Sequence, residues 1–299
     1  MKHKFNPPTV LNLAIATVVI SGMCLLQFLS SHTKSLSLFT LYALGFALLI
    51  LPLNGLIHEA EHRMLCRHHK LNEYTGRLIS AFFPSSLYFT RHTHLGHHKR
   101  NRSDDELFDQ YYPEESRWFK SLSFYSLYLG LFWIVIPLGS LAVAVLPSSL
   151  WQVMGGQSGQ AMVARLPHHL IKKIRVDGLL ILLVHSGMIS LLDLSFSSWL
   201  ILYLLAGLLW SSQQGLVHAG TKRHVIEGAR DLNLPFPFQA LFLSWNLHLT
   251  HHRHPSVPWL YLDQIATPKT ERSPYFETNV RFWRGPTLCV EPPPRTQET

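Results

Sequence analysis

Long uncharged apolar stretches alternate with short charged ones along this chain, and the alternation predicts most of its elements. Residues 10–29 form a first block without a charge, long enough to cross a hydrocarbon core as a helix. Lys2 and Lys4 precede it as they would a secretory signal, but the stretch exceeds a signal core and no A-x-A-type site follows. A second block covers 36–57, and the short link at 30–35 makes the two a helical hairpin. A third block runs over 121–146. A fourth and fifth, 178–194 and 196–217, are separated by almost nothing and read as a second hairpin. No repeat of solenoid type is present.

The basic residues orient these blocks. Only Lys34 lies between the first two. Arg63, Arg67, Lys70, Arg77, Arg91, Lys99, Arg100 and Arg102 follow the second. Arg165, Lys172, Lys173 and Arg175 precede the fourth, and Lys222, Arg223, Arg230 and Arg253 follow the fifth. The excess of basic residues in cytoplasmic loops then puts both termini and all these segments in the cytoplasm. The third block begins and ends on one side and is too short to cross twice. It is expected to be a re-entrant or interfacial helix pair, broken near Pro137, since irregular backbone survives at membrane depth only when buried in protein. The expected fold is an all-α integral membrane protein with two transmembrane helical hairpins, interfacial or re-entrant helices, and a cytoplasmic cap. Residues 1–9 form a cytoplasmic N-terminus, 10–285 a single domain, and 286–299, with Pro292, Pro293 and Pro294, a disordered tail.

Composition narrows the class. Of the 299 residues 47% are hydrophobic and 15% charged, against about a quarter charged in soluble domains. That argues against a soluble enzyme and equally against a disordered chain, which is poor in apolar residues. With nearly every Lys and Arg on one face, the net charge of +8 signals a membrane surface and an acidic partner, not nucleic acid. Cys24, Cys66 and Cys289 form no C-x-x-C pair, so neither a disulfide framework nor a thiolate zinc site is expected. Histidine, at 19, outnumbers Asp and Glu together, at 18, and that excess asks for a chemical reason.

The histidines cluster. HEAEH at 58–62, HLGHH at 94–98 and HLTHH at 248–252 place imidazoles three and four residues apart, on one face of a helix. One such cluster alone is a polar helix end at the headgroup level. Three on the predicted cytoplasmic side read as metal ligands, joined by His218 at the end of the fifth block, which by itself would be an ordinary interfacial histidine. His68, His69, His168 and His169 lie in basic stretches and read as surface. His92, His224 and His254 flank the clusters and are expected to support them by hydrogen bonds. His185, inside the fourth block, reads as a packed, hydrogen-bonded residue, and His3 and His32 carry no signal. Neutral imidazole suits iron, zinc, copper and nickel; the clusters with His218 are too many for one ion and suit two. Residues 58–62 match the H-E-x-x-H string of zinc metalloproteases, but two further clusters leave an excess that one zinc cannot use. A metal transporter would carry its ligands near the bilayer midplane, whereas these stand at span ends. A non-catalytic membrane scaffold with surface histidines would bind no metal.

The order HxxxH, HxxHH, lone His, HxxHH, interleaved with two membrane hairpins, resembles the membrane fatty acid desaturase superfamily of acyl desaturases, hydroxylases, acetylenases and carotene ketolases and hydroxylases. The pattern N-x-H-x-x-H-H starting at Asn246, followed by Pro255 and Pro258, is similar to that superfamily's final box, and 91–105 resembles its second box with downstream acidic residues. The resemblance covers roughly 53–260. The first box is HxxxH where some members have four residues between the histidines, so the subfamily stays open. The resemblance implies a di-iron centre on His58, His62, His94, His97, His98, His218, His248, His251 and His252, with dioxygen as co-substrate. It places Gln214 where some members hold an iron through water, and adds Asn246 as a supporting residue. The H-P-G-G string of a fused cytochrome b5-like module is missing, which implies a separate donor. An acidic ferredoxin with its reductase suits the positive face.

The implied activity is oxygen-dependent desaturation of a fatty acyl chain at the cytoplasmic face of a cell or inner membrane. The alternative is hydroxylation or ketolation of a lipid, carotenoid or other lipophilic substrate. Trp210, Trp245, Trp259, Phe236 and Phe238 are candidates to line or cap the acyl entrance, or simply form an interfacial aromatic belt.

Overall fold

A computed structural model describes residues 5–151, 156–163 and 166–296; Lys2, His3, Lys4 and Arg165 lie outside them. Helices α1 (Thr9–His32) and α2 (Leu36–Glu61) form the first hairpin. The Ser35 hydroxyl accepts from the Leu38 amide and so opens α2, satisfying one of the amides a helix start leaves unpaired. Next come α3 (His69–Phe82) and α4 (Leu87–Arg100), then α5 (Arg117–Ser126), a π-helical turn (Leu127–Leu131) and α6 (Phe132–Val145). Short α7 (Ser148–Trp151) and α8 (Gly156–Val163) lead to the second hairpin, α9 (His168–Leu191) and α10 (Phe196–Gln214). Helices α11 (Phe236–Leu241), α12 (His248–Arg253) and α13 (Tyr275–Phe282) close the chain. Strands are vestigial: β1 (Gln110–Tyr111) pairs in parallel with β4 (Thr287–Leu288), and β2 (Leu232–Asn233) with β3 (Ser273–Pro274).

Among the described residues, five helical stretches are long and apolar enough to cross a membrane: Thr9–His32, Leu36–Glu61, Arg117–Val145, His168–Leu191 and Phe196–Gln214. The protein is a helical membrane protein, as lipid requires of a chain that must pair its own backbone. Helix α2 is central, with α1 on one side and α10 on the other. Met23, Phe46, Ile50, Leu53, Leu56, Leu202 and Ala206 are fully buried between them. The outward faces present Val18, Leu25, Leu41, Leu44 and Leu182, the side chains that lipid covers.

The third apolar block departs from expectation in one respect. It breaks at the π-helical turn, where Gly130 takes φ +126°, a conformation open to glycine and costly to other residues. Helix α6 runs on through Pro137 without a break. Trp133, at its start, donates its amide to Ser211 Oγ at 3.0 Å. The Trp133 indole lies on Gly207, where a Cβ would fall 2.3 Å from the ring. At the other end Ala144 meets Gly178 of α9. Helix α6 thus touches both helices of the second hairpin, α10 at its start and α9 at its end.

Helices α3 and α4 form a wedge that the hydropathy pattern did not suggest. The turn between them, rich in Phe and Ser, enters the bundle. Phe82 O accepts from Tyr203 OH, Ala81 O accepts from His185 Nε2, and Phe83 packs edge-on against Trp133 and Trp210. His185 also accepts from Trp199 Nε1 and is thus a packed, doubly bonded residue. The segment after Gly285, expected to be disordered, is ordered at least in part. β4 pairs with β1, Cys289 is buried, and the Glu291 carboxylate accepts from the Arg223 amide.

Candidate metal centre

Each histidine cluster is positioned by local capping. Helix α2 continues to Glu61, a turn beyond its predicted block, so His58 stands on the helix and His62 caps it. The turn that follows, with Arg63 at φ +63°, is pinned by two buried amides. Asn72 Nδ2 donates to Ala60 O while its Oδ1 accepts from Leu65 and Cys66, and Asn12 Nδ2 donates to Leu65 O. Helix α4 starts on Ser86, whose hydroxyl accepts from Tyr88 and Phe89, and carries His94, His97 and His98 on its last turns. His218 sits in the turn after α10. Helix α12 is fixed by Asp231, whose carboxylate accepts from the Thr250 amide (3.0 Å) and hydroxyl (2.6 Å). Asn246 stands before it, its Nδ2 donating to Leu232 O and its own carbonyl accepting from the Leu232 amide.

These elements bring all nine predicted histidines together, in two groups. His58, His62, His94, His98 and His251 form one; His97, His218, His248 and His252 form the other. Within each group the available ligand atoms lie within 4.8 Å of one another. Neither HxxHH box feeds a single group. Residues four apart stay together, His94 with His98 and His248 with His252, while His97 and His251 cross to the opposite group. At 3.6 residues per turn an offset of four rotates a side chain by only about 40°, and offsets of three or one by about 60° and 100°.

The nitrogens have the spacing and protonation of ligands. His62 Nε2 lies 2.8 Å from His94 Nε2, His94 Nε2 is 3.1 Å from His98 Nε2, and His98 Nε2 is 3.0 Å from His251 Nε2. Metal–imidazole bonds of about 2.1 Å put ligand nitrogens at right angles about 3 Å apart. His58 Nε2, His218 Nε2 and His252 Nε2 are buried with no hydrogen-bond partner among the described residues, an expense that a bound cation removes. Burial, then the charge of neighbouring imidazolium groups, holds His62, His94, His98, His248, His251 and His252 below the ordinary histidine range, His98 down to about 2. Burial also lowers His218. Neutral imidazole is the form that binds metal, so the residues present fit two transition-metal ions.

Outer contacts fix ring orientation in the second group. His97 Nδ1 donates to the Glu106 carboxylate at 2.6 Å, and His218 Nδ1 donates to Gly228 O at 2.9 Å. Sequence reasoning missed Glu106, Gly228 and Asp231. The acidic run 104–106 after the second box was the available signal, and the resemblance stopped one residue short of Glu106. His224 does not support the cluster; its Nδ1 accepts from the Ile226 and Glu227 amides in its own loop. A polar network backs the site: buried Arg102 pairs with Asp109 and donates to Thr221 O, while buried Arg223 pairs with the exposed Asp104 and donates to Arg102 O.

A cavity of about 220 Å³ opens beside both groups. His58, His94, His97, His218 and His248 line it together with Phe83, Phe132, Ile136, Trp210 and Trp245, whose apolar surface predominates, and with charged residues such as Arg100, Arg102, Glu106 and Asp109. Gln214 also lines it, its amide donating to Trp210 O. Of the five aromatic candidates only Trp210 and Trp245 reach this cavity. Trp259 instead donates its indole N–H to Asn12 and its amide to Glu59, and Phe236 and Phe238 are exposed on α11.

An apolar membrane bundle carrying nine converged imidazoles beside an apolar cavity defines a class of histidine-rich membrane oxidoreductases. The fatty acid desaturase family model matches residues 34–283, and the chain belongs to that family; it is a fatty acid enzyme of the desaturase or hydroxylase type. No curated protein matches the chain.

Proposed function

We propose that this protein is a di-iron enzyme that uses dioxygen to desaturate a fatty acyl chain at the cytoplasmic membrane face. The observation that carries the reading is the pair of histidine groups at ligand spacing, both bordering one apolar cavity. His58, His62, His94, His98 and His251 hold one iron, and His97, His218, His248 and His252 the other. Bound there, two irons supply an oxidant strong enough to take hydrogen from an unactivated methylene, using electrons from a separate donor. The rest is the work of the chain. Phe83, Phe132, Ile136 and Trp210 exclude water and align the acyl segment against the histidines. Glu106 and Gly228 O hold the His97 and His218 rings with Nδ1 protonated, leaving Nε2 free to ligate. Gln214, beside His218, offers an amide at the edge of the second group. The basic cytoplasmic face receives an acidic ferredoxin.

The test is expression with a ferredoxin and its reductase, followed by mass analysis of lipids and small lipophilic products. A product lacking two hydrogens supports the reading. A product carrying an added oxygen moves the assignment to hydroxylation, and turnover that persists without dioxygen overturns it. Reporter fusions after Arg102 and Arg272 are expected to read cytoplasmic, and one after Lys34 external.

A further inference from the structure

Away from the histidines, a second pocket of about 380 Å³ lies between α3 and the start of α9. Lys70, Tyr74, Arg77, Lys172, Lys173 and Val176 line it. His69 and Glu73 also line it, and the carboxylates of Glu73 and of nearby Asp177 are already committed. Glu73 accepts both Nη groups of Arg91, at 2.8 and 3.0 Å. Asp177 accepts from Arg77 Nε and Ser86 Oγ, each at 2.6 Å, which ties α9 to the foot of α4. Lys70, Lys172 and Lys173 have no carboxylate partner among the described residues; Lys173 Nζ sits 4.7 Å over the Tyr88 ring. The pocket is therefore a rigid concavity with surplus positive charge.

Its surroundings say what anion it fits. Helix α9 begins with His168, His169, Lys172, Lys173 and Arg175, and is uncharged from Gly178 onward. The pocket thus stands at the level where the chain passes from water into hydrocarbon. Directly along α9, Val176, Leu179 and Leu183 follow at helical spacing, exposed on the outside of the protein. Tyr74 and Leu78 provide an exposed apolar flank on α3. A soluble acidic protein has no use for that apolar track, whereas a molecule with a phosphate head and acyl tails matches both parts. We propose that the pocket between α3 and α9 binds the phosphate of an anionic phospholipid of the surrounding bilayer, its acyl chains lying along α9. Ammonium clusters at a bilayer surface recognise anionic head groups in this way.

The test needs no catalysis. The full chain is delipidated in detergent, reconstituted in nanodiscs of phosphatidylcholine with a minor share of phosphatidylglycerol, re-extracted and weighed by native mass spectrometry. The wild type is expected to retain phosphatidylglycerol over phosphatidylcholine. The triple variant K70Q/K172Q/K173Q is expected to lose that preference by about tenfold or more, whereas K70R/K172R/K173R and the distant K269Q keep it. Equal retention by the wild type and the triple glutamine variant overturns the proposal. So does displacement by inorganic phosphate at equal concentration, which would make this a site for free phosphate, and so does a patch that captures a purified acidic ferredoxin but shows no lipid preference.

Discussion

The two histidine groups achieve convergence by different means. The group of five stands almost wholly on regular helix: the end of α2, two residues of α4 and one of α12. Its ring nitrogens approach one another in a chain from His62 through His94 and His98 to His251. The group of four includes His218, which sits in a turn, and it carries outer hydrogen bonds to Glu106 and to Gly228 O. These outer bonds orient one ring carried by helix α4 and one carried by a turn, holding the far nitrogen of each. The group of four also has one histidine fewer, and Gln214 lines the cavity that both groups border.

The sharpest break of this contrast removes one histidine from each side. His251→Ala and His97→Ala are each expected to abolish product, and iron per purified chain should fall from about two toward one or none. Full iron content in either variant, measured by plasma mass spectrometry, would sink the ligand assignment. Glu106→Ala comes next. It strips the carboxylate from His97 and should weaken metal at the group of four by about 10–100-fold, the usual loss when an outer partner goes. Titrating iron back into chelated protein would then show one weakened site and one unchanged.

Asp231→Ala should act on both groups together, because α12 contributes to each. Losing the acceptor for the Thr250 amide and hydroxyl leaves buried donors unpaired, which costs about 1–3 kcal/mol. A lower melting temperature with both iron sites weakened in parallel distinguishes it from Glu106→Ala. His68→Ala is the smallest. The residue is exposed at the start of α3 and belongs to neither group. Its stability should change by less than about 0.5 kcal/mol, with iron content and product yield unaltered.

Much of this was legible along the chain, for specific reasons. The spans could be read because lipid leaves the backbone no partner but itself, which forces long uncharged helices. The third block could be read as an apolar helical stretch for the same reason. Its break could not be placed. Pro137 was the visible irregularity, but Gly130 took the positive φ that bends the chain. The tip of the α3–α4 wedge was invisible because its polar neighbours dilute its hydropathy, and only contacts with Tyr203, Trp133 and Trp210 show that it is inside.

For the histidines, helical spacing along the sequence picked out the eight of the three clusters, and the resemblance added His218; the structure brings all nine together. The sequence did not determine how they divide. That His97 leaves its box for the group of His218, and His251 leaves its own for that of His58, was decided by how α2, α4 and α12 dock. Rotation about a helix axis tells which side chains diverge; only the neighbouring helices decide what each one meets.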